Sequence, residues 1–176
     1  MRELNLEEIR SLLIEVGDEL GGEGPAISIV IVGGTLMAMH GLRDRTIDVD
    51  TISEIEYELA TAIRVVAERN KLPHNWLNQS SKPFAPESFS IDDCEEVLQT
   101  NRLSILALPI RQLFLMKLDS NRRTDQNDLM LLWPHSGFQH VEEVLHEYEL
   151  AYPHTQRDEF LGEWIQQIID RAEGAR

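Results

Sequence analysis

The chain has 176 residues, 42% hydrophobic and 27% charged, enough for one domain, or one domain with a helical extension, around a sizeable core. Its 31 acidic against 16 basic residues give a net charge of −15, which argues against broad nucleic-acid binding and suits a well-solvated surface or a basic protein partner. The charged opening MRELNLEEIRSLL, the lack of an apolar run near the ~20 residues that cross a bilayer, and the single cysteine, Cys94, predict a cytoplasmic protein without secretory leader, membrane span or internal disulfide.

Residues 5–20 predict an amphipathic helix, with Asn5 as its cap, Glu8 at the capping-box offset, and Leu6, Ile9, Leu13, Val16 and Leu20 at helical spacing. Gly21, Gly22, Gly24 and Pro25 stop it. Ile27–Val32 is short, apolar and rich in β-branched residues, the pattern of a buried strand. Gly33-Gly34 ends that strand, and residues 35–42 predict a short helix. A second strand is expected over 46–52, with Ile47, Val49 and Thr51 toward the core and Asp48 and Asp50 on the other face. Ser53 with Glu56 opens a helix to about Asn70, carrying Ile55, Leu59, Ile63 and Val66 on its apolar stripe. Residues 73–87 predict a loop pinned by Trp76 and Leu77, and 95–100 with 102–108 a strand pair turning at Thr100-Asn101. Helices are expected over 110–119, 124–135, 139–150 and 157–172. The chain therefore reads as an α/β core over residues 1–108 and a helical region over 109–176, packed as one structural unit.

The chemistry concentrates at the first two strands. Thirteen residues separate Gly34 from Asp48-Val49-Asp50. Side chains at i and i+2 of a strand share a face, so Asp48 and Asp50 set two carboxylates side by side, an arrangement that repels unless a cation lies between them. Oxygen-only ligands suit a hard ion such as Mg²⁺, which keeps several waters and binds through one or two carboxylates plus substrate phosphates. Gly33 and Gly34, without Cβ atoms, let a phosphate approach the backbone, and a helix starting near Thr35 would aim free N–H groups at it. Thr35 offers a hydroxyl donor, and Arg43 and Arg45 stand just before the carboxylate strand to offset phosphate charge.

The run Val32-Gly33-Gly34, thirteen residues, then Asp48-Val49-Asp50 resembles the signature of the nucleotidyltransferase superfamily. The stretch IVGGTLMAMHGLRDRTIDVD is similar to small prokaryotic nucleotidyltransferase domains of unknown function, relatives of the minimal nucleotidyltransferases and of abortive-infection transferases of toxin–antitoxin pairs. The likeness continues in Leu72-Pro73 with Trp76-Leu77-Asn78, and in Met116-Lys117-Leu118 followed by Arg122, Asp125 and Asp128. It implies an α+β fold, a small mixed sheet flanked by helices with a helical C-terminal third. It also implies Mg²⁺-dependent transfer (Mn²⁺ is the substitute) of a nucleoside monophosphate from a nucleoside triphosphate such as ATP to a protein, RNA or small hydroxyl acceptor. Asp48 and Asp50 would be the metal-binding and catalytic carboxylates, and Gly33 and Gly34 would hold the triphosphate. Lys117 and Asp125 would lie on the helices that close the nucleotide side. A third carboxylate is usual in active members; Asp92, Asp93, Glu95 and Glu96 are candidates, and no spacing singles one out. The alternative is a catalytically weak, nucleotide-binding, antitoxin-like partner of a basic toxin.

Several residues have plainer readings. Lys117, amid Leu113, Phe114, Met116 and Leu118, either snorkels to solvent or meets a phosphate or aspartate. Arg122, Arg123, Asp125 and Asp128 fit helix-start and i,i+3 pairs. His40 is expected to pack, Trp76 and Trp133 to be core aromatics, and Phe160, Trp164, Ile168 and Ile169 to form a core or partner-facing stripe. The histidines show no zinc-ligand spacing.

Overall fold

Asn5 starts the first helix with a reciprocal cap. In the computed structural model, which describes residues 2–120, 125–156 and 158–174, its side chain accepts from the Glu8 N–H at 2.9 Å while the Glu8 carboxylate accepts from the Asn5 N–H at 3.0 Å. The described residues fall into two compact units, Met1–Pro83 with Cys94–Leu108 and Phe84–Asp93 with Pro109–Arg176.

In the first unit, helix α1 (Leu6–Leu20) buries Ile9, Leu12, Leu13 and Val16, and lies against α3 (Tyr57–Asn70), which buries Leu59, Ile63 and Val66. The sheet is mixed and five-stranded, in the order β3 (Leu77–Asn78), β2 (Val49–Thr51), β1 (Ile27–Val32), β5 (Leu103–Ala107), β4 (Glu95–Gln99). Strand β1 runs parallel to β5 and antiparallel to β2, and β3 runs parallel to β2. As the most central strand it is also the most apolar, with Ile29, Val30, Ile31 and Val32 all buried. The fold is thus α+β, as its sequence predicts.

Three local expectations give way to longer-range pairing. The second strand is shorter than 46–52 because Thr46 pairs with Leu4 instead, their backbones exchanging bonds of 2.7 and 2.9 Å. The chain bends at 47–48 before joining β1, so Ile47 is 47% exposed rather than core, whereas Val49 is fully buried. Ser53 does not cap α3: its hydroxyl accepts from the Val30 N–H at 2.9 Å, and the helix begins four residues later behind Glu56. Strand β3 lies inside the expected loop, where Trp76 and Leu77 are buried as predicted. Helix α2 (Gly33–Met39) starts at Gly33 itself and ends before residue 42.

In the second unit, helices α4 (Ile110–Ser120), α5 (Asp125–Leu132), α6 (Val141–Ala151) and α7 (Leu161–Gly174) surround a cluster in which Phe114 lies 5.9 Å from Trp133 and 5.7 Å from Phe138, ring centre to ring centre. The expected 124–135 helix is a helix followed by a 3₁₀ turn, Trp133–His135, because Pro134 has no N–H for an α-helical bond. Helix α7 turns Ile165, Ile168 and Ile169 inward, leaving Phe160 exposed ahead of it and Trp164 half-buried. Arg122 and Arg123, which figure in the sequence reading, lie outside the described residues, as do residues 124 and 157, where two of the predicted helices begin. Among those described, no helix is long and apolar enough to cross a membrane.

Arg102, only 7% exposed, ties the first unit together at its base. Its guanidinium donates to the Leu20 carbonyl at 3.3 Å, to the Pro25 carbonyl at 3.0 Å and to the Glu58 carboxylate. Removing it strands two carbonyls that a charged donor had satisfied. Arg102→Leu is expected to lower the unfolding free energy by about 2–4 kcal/mol in a urea titration; a change below about 0.5 kcal/mol would show that water replaces the guanidinium freely.

Candidate functional site

Three adjacent strand ends build the site. The antiparallel register places Val32 opposite Asp50, so Gly33, the residue that follows β1, arrives against the carboxylate strand. On the other side of β2, the parallel register places Asn78 opposite Asp50. Gly33 adopts φ +64°, a left-handed conformation that side chains resist, and a Cβ there would lie 2.8 Å from the Asp50 Oδ2. At Gly34 a Cβ would meet the Thr46 hydroxyl at 2.6 Å and the Arg43 guanidinium at 3.0 Å. The Gly-Gly pair is therefore what lets the β1 turn, the Asp50 carboxylate and Arg43 occupy one small volume.

Two buried hydroxyls fix the entry to the carboxylate strand. Thr35 donates to the Asp48 carbonyl at 3.0 Å, and Thr46 donates to the same oxygen at 3.2 Å. Thr35 has no exposed surface. Its hydroxyl is engaged with the Asp48 backbone, whereas the sequence suggests a phosphate donor. Thr51, likewise buried, donates to the Val30 carbonyl at 2.7 Å and locks β2 to β1.

Asp48 and Asp50 are both half-exposed at this junction. Each is met by a neutral donor that the sequence reading overlooks. The Asn78 side chain hydrogen-bonds to the Asp48 carboxylate, and Ser80 Oγ donates to Asp50 Oδ1 at 3.2 Å. Their place beside the acidic pair comes from the strand order, which nothing local in the Trp76-Leu77-Asn78 run specifies. Glu95 and Glu96, by contrast, sit exposed on β4 at the opposite edge of the sheet. With β1 and β5 intervening, they are three strand spacings, about 14 Å, from β2. Asp92 and Asp93 belong to the second unit.

The remaining expected residues are dispersed. Arg45 is exposed and its charge acts on Glu8, whose carboxyl is held low chiefly by the Asn5 N–H and by Arg2. His40 is exposed rather than packed. Lys117, in the second unit, neither snorkels nor stands open. Its ammonium lies 2.7 Å from Asp125 and 2.9 Å from Asp128, two carboxylates that are each 4% exposed, and Ser120 completes the set by donating to Asp125. With one cation between two anions, that cluster offers no spare positive charge.

The donor set at Asp48 and Asp50 fits a hard cation. Among the described residues no group of three or more His, Cys, Asp or Glu side chains could enclose a metal ion. Two carboxylates suffice only for an ion that keeps waters and takes further oxygens from its substrate, which is the habit of Mg²⁺. Burial raises the Asp48 carboxyl above its ordinary value, Asp50 raises it further, and the Asn78 hydrogen bond pulls it back.

A carboxyl with a raised value in the fold penalises folding while it is ionised. That penalty is complete above the raised value, fades as pH falls through it and is gone below the ordinary value of 3.8. Asp48→Asn keeps the shape and the hydrogen bond but removes the charge. In EDTA at pH 7 it is expected to raise Tm by about 2 °C, with the advantage vanishing near pH 4; an unchanged Tm at both pH values would show that the pair is not electrostatically strained.

The sequence model of the family described as "Nucleotidyltransferase of unknown function (DUF6036)" matches residues 8–166, which include every residue of this site. No curated protein and no solved structure matches the chain at a significant level. The chain belongs to this nucleotidyltransferase family.

Proposed function

We propose that the protein is a divalent-cation-dependent nucleotidyltransferase that moves a nucleoside monophosphate from a nucleoside triphosphate to a hydroxyl acceptor. The single observation that carries this reading is the contact between Gly33 and the Asp50 carboxylate, where even a methyl group would collide. A phosphate that approaches the Gly33-Gly34 backbone necessarily meets the carboxylate pair, and two sets of anions at that distance need a cation in common. Asp48 and Asp50 are the ligands for Mg²⁺ or Mn²⁺. When bound, such a cation supplies charge neutralisation at the reacting phosphate and at the departing pyrophosphate.

The chain's own residues do the positioning. Gly33 and Gly34 bring the backbone to the phosphates, and Arg43, stacked over Gly34, offsets their charge from the same side. Arg45 extends the basic character of the segment that precedes Asp48. Thr35 and Thr46 hold the Asp48 peptide, so the first carboxylate cannot drift from the second. Lys117 acts within the helical unit as the counter-ion of Asp125 and Asp128.

A second reading, a nucleotide-binding partner with weak transfer activity that pairs with a basic, toxin-like protein, is favoured by the two-carboxylate donor set and by the net charge of −15. One experiment separates the two. The protein is incubated with each α-labelled nucleoside triphosphate, Mg²⁺ and a lysate of the host. Transfer predicts a discrete labelled acceptor, lost in the Asp48→Ala/Asp50→Ala variant by more than the ~100-fold that changes around a metal ligand produce. Labelled nucleotide held by the protein with no labelled acceptor would select the weak-transfer reading instead.

A further inference from the structure

Beside the carboxylate pair stands a primary alcohol whose placement the fold controls closely. Ser80 is exposed, and its hydroxyl donates to Asp50 Oδ1 at 3.2 Å. The turn that delivers it begins on β3: the Ser80 N–H donates to Asn78 Oδ1 at 2.9 Å, and Asn78 is in register with Asp50. The next contacts tie the same segment to the β2–α3 connection. Gln79 accepts from the Ile55 N–H at 2.6 Å, and Lys82 pairs with Glu54 at 2.7 Å. The exposed Lys82 pair adds little energy, but the Asn78 and Gln79 side-chain bonds hold the chain entering Ser80, and the Lys82 N–H donates to the Gln79 carbonyl at 3.1 Å across it. The other hydroxyls at the site, those of Thr35 and Thr46, are buried and committed to the Asp48 carbonyl.

An exposed alcohol held against the carboxylates that would carry the cation stands where an acceptor hydroxyl has to be. We propose that Ser80 is an acceptor in cis, so that the protein nucleotidylates itself on this side chain. The inference rests on the nucleotidyltransferase reading above and names one acceptor for it. In the step, Ser80 Oγ forms a bond to the α-phosphorus of a nucleoside triphosphate, the bond from that phosphorus to the β-phosphate bridging oxygen breaks, and pyrophosphate leaves. The hydroxyl proton leaves to solvent water, to which the exposed Ser80 side chain is open. Nothing is oxidised or reduced. The product is a phosphodiester on Ser80, which sets a negative charge and a nucleoside against Asp50. The modified chain therefore excludes a second triphosphate, and the reaction stops at one nucleotide per chain.

The test uses the full chain with Mg²⁺ and each of the four ribonucleoside triphosphates in turn, followed by intact-mass measurement. The expected result is the gain of one nucleoside monophosphate, mapped by fragmentation to Ser80 within the tryptic peptide 72–102 and away from the neighbouring Ser81. Ser80→Ala is expected to lose the adduct and Ser80→Thr, which keeps a hydroxyl, to retain it. Binding of an α,β-methylene triphosphate analogue, which cannot transfer, is measured alongside by fluorescence; the modified wild-type chain is expected to lose it. Analogue binding with no adduct, or an adduct that maps elsewhere or persists in Ser80→Ala, would overturn the Ser80 proposal and leave the nucleotide site standing. Failure of the unmodified wild type to bind the analogue in a Mg²⁺-dependent way would remove the nucleotide reading and this proposal with it.

Discussion

Two carboxylates of like charge, held on one short strand beside a backbone that tolerates no side chain, are the constraint around which the first unit is arranged. Asp48 and Asp50 repel each other, and burial strengthens that repulsion at Asp48. Here neutral donors, Asn78 and Ser80, hydrogen-bond to the pair, and the Arg43 guanidinium lies close by at Gly34. On the proposed reading, a divalent cation would neutralise the pair.

Keeping such a pair in place requires rigidity from elsewhere. Strand β1 provides it, buried along four consecutive residues and flanked by β2 and β5. The Thr51 hydroxyl fastens β2 to β1 on one side of the pair, and the Thr35 and Thr46 hydroxyls fasten the Asp48 peptide on the other. Each of these threonines is buried and satisfied by a main-chain carbonyl, so the polar groups cost little while setting the geometry. The helical unit solves a different problem in a similar way: Lys117 is enclosed with two aspartates, so that one cation stands between two anions.

What was legible in the sequence is what local rules decide. The capping box at Asn5, the apolar run of β1 and the spacing from Gly34 to Asp48 all depend on residues near each other in the chain, and all reappear in the fold. The illegible parts are those that distant residues decide. Thr46 looked like strand until Leu4 paired with it, and Ser53 looked like a cap until the Val30 N–H claimed its hydroxyl. Strand β3 has only two residues, too few for a period, and exists because β2 offers it an edge. Asn78 and Ser80 were therefore hidden as site residues, since nothing short of the strand order brings them to Asp48 and Asp50. The same strand order removes Glu95 and Glu96 from contention, which sequence proximity to a strand could not do.

The central claim is that Asp48 and Asp50 bind a divalent cation together with a triphosphate, so that each ligand strengthens the other. Calorimetric titration of the purified protein with a non-transferable nucleoside triphosphate analogue, with Mg²⁺ and then with EDTA, measures that coupling directly. The account predicts binding with Mg²⁺ that weakens at least tenfold in EDTA, a coupling of about 1.4 kcal/mol or more, and that loses its Mg²⁺ dependence in Asp48→Asn/Asp50→Asn. Equal affinity with and without Mg²⁺ in the wild type, or a double variant indistinguishable from it, would contradict the account.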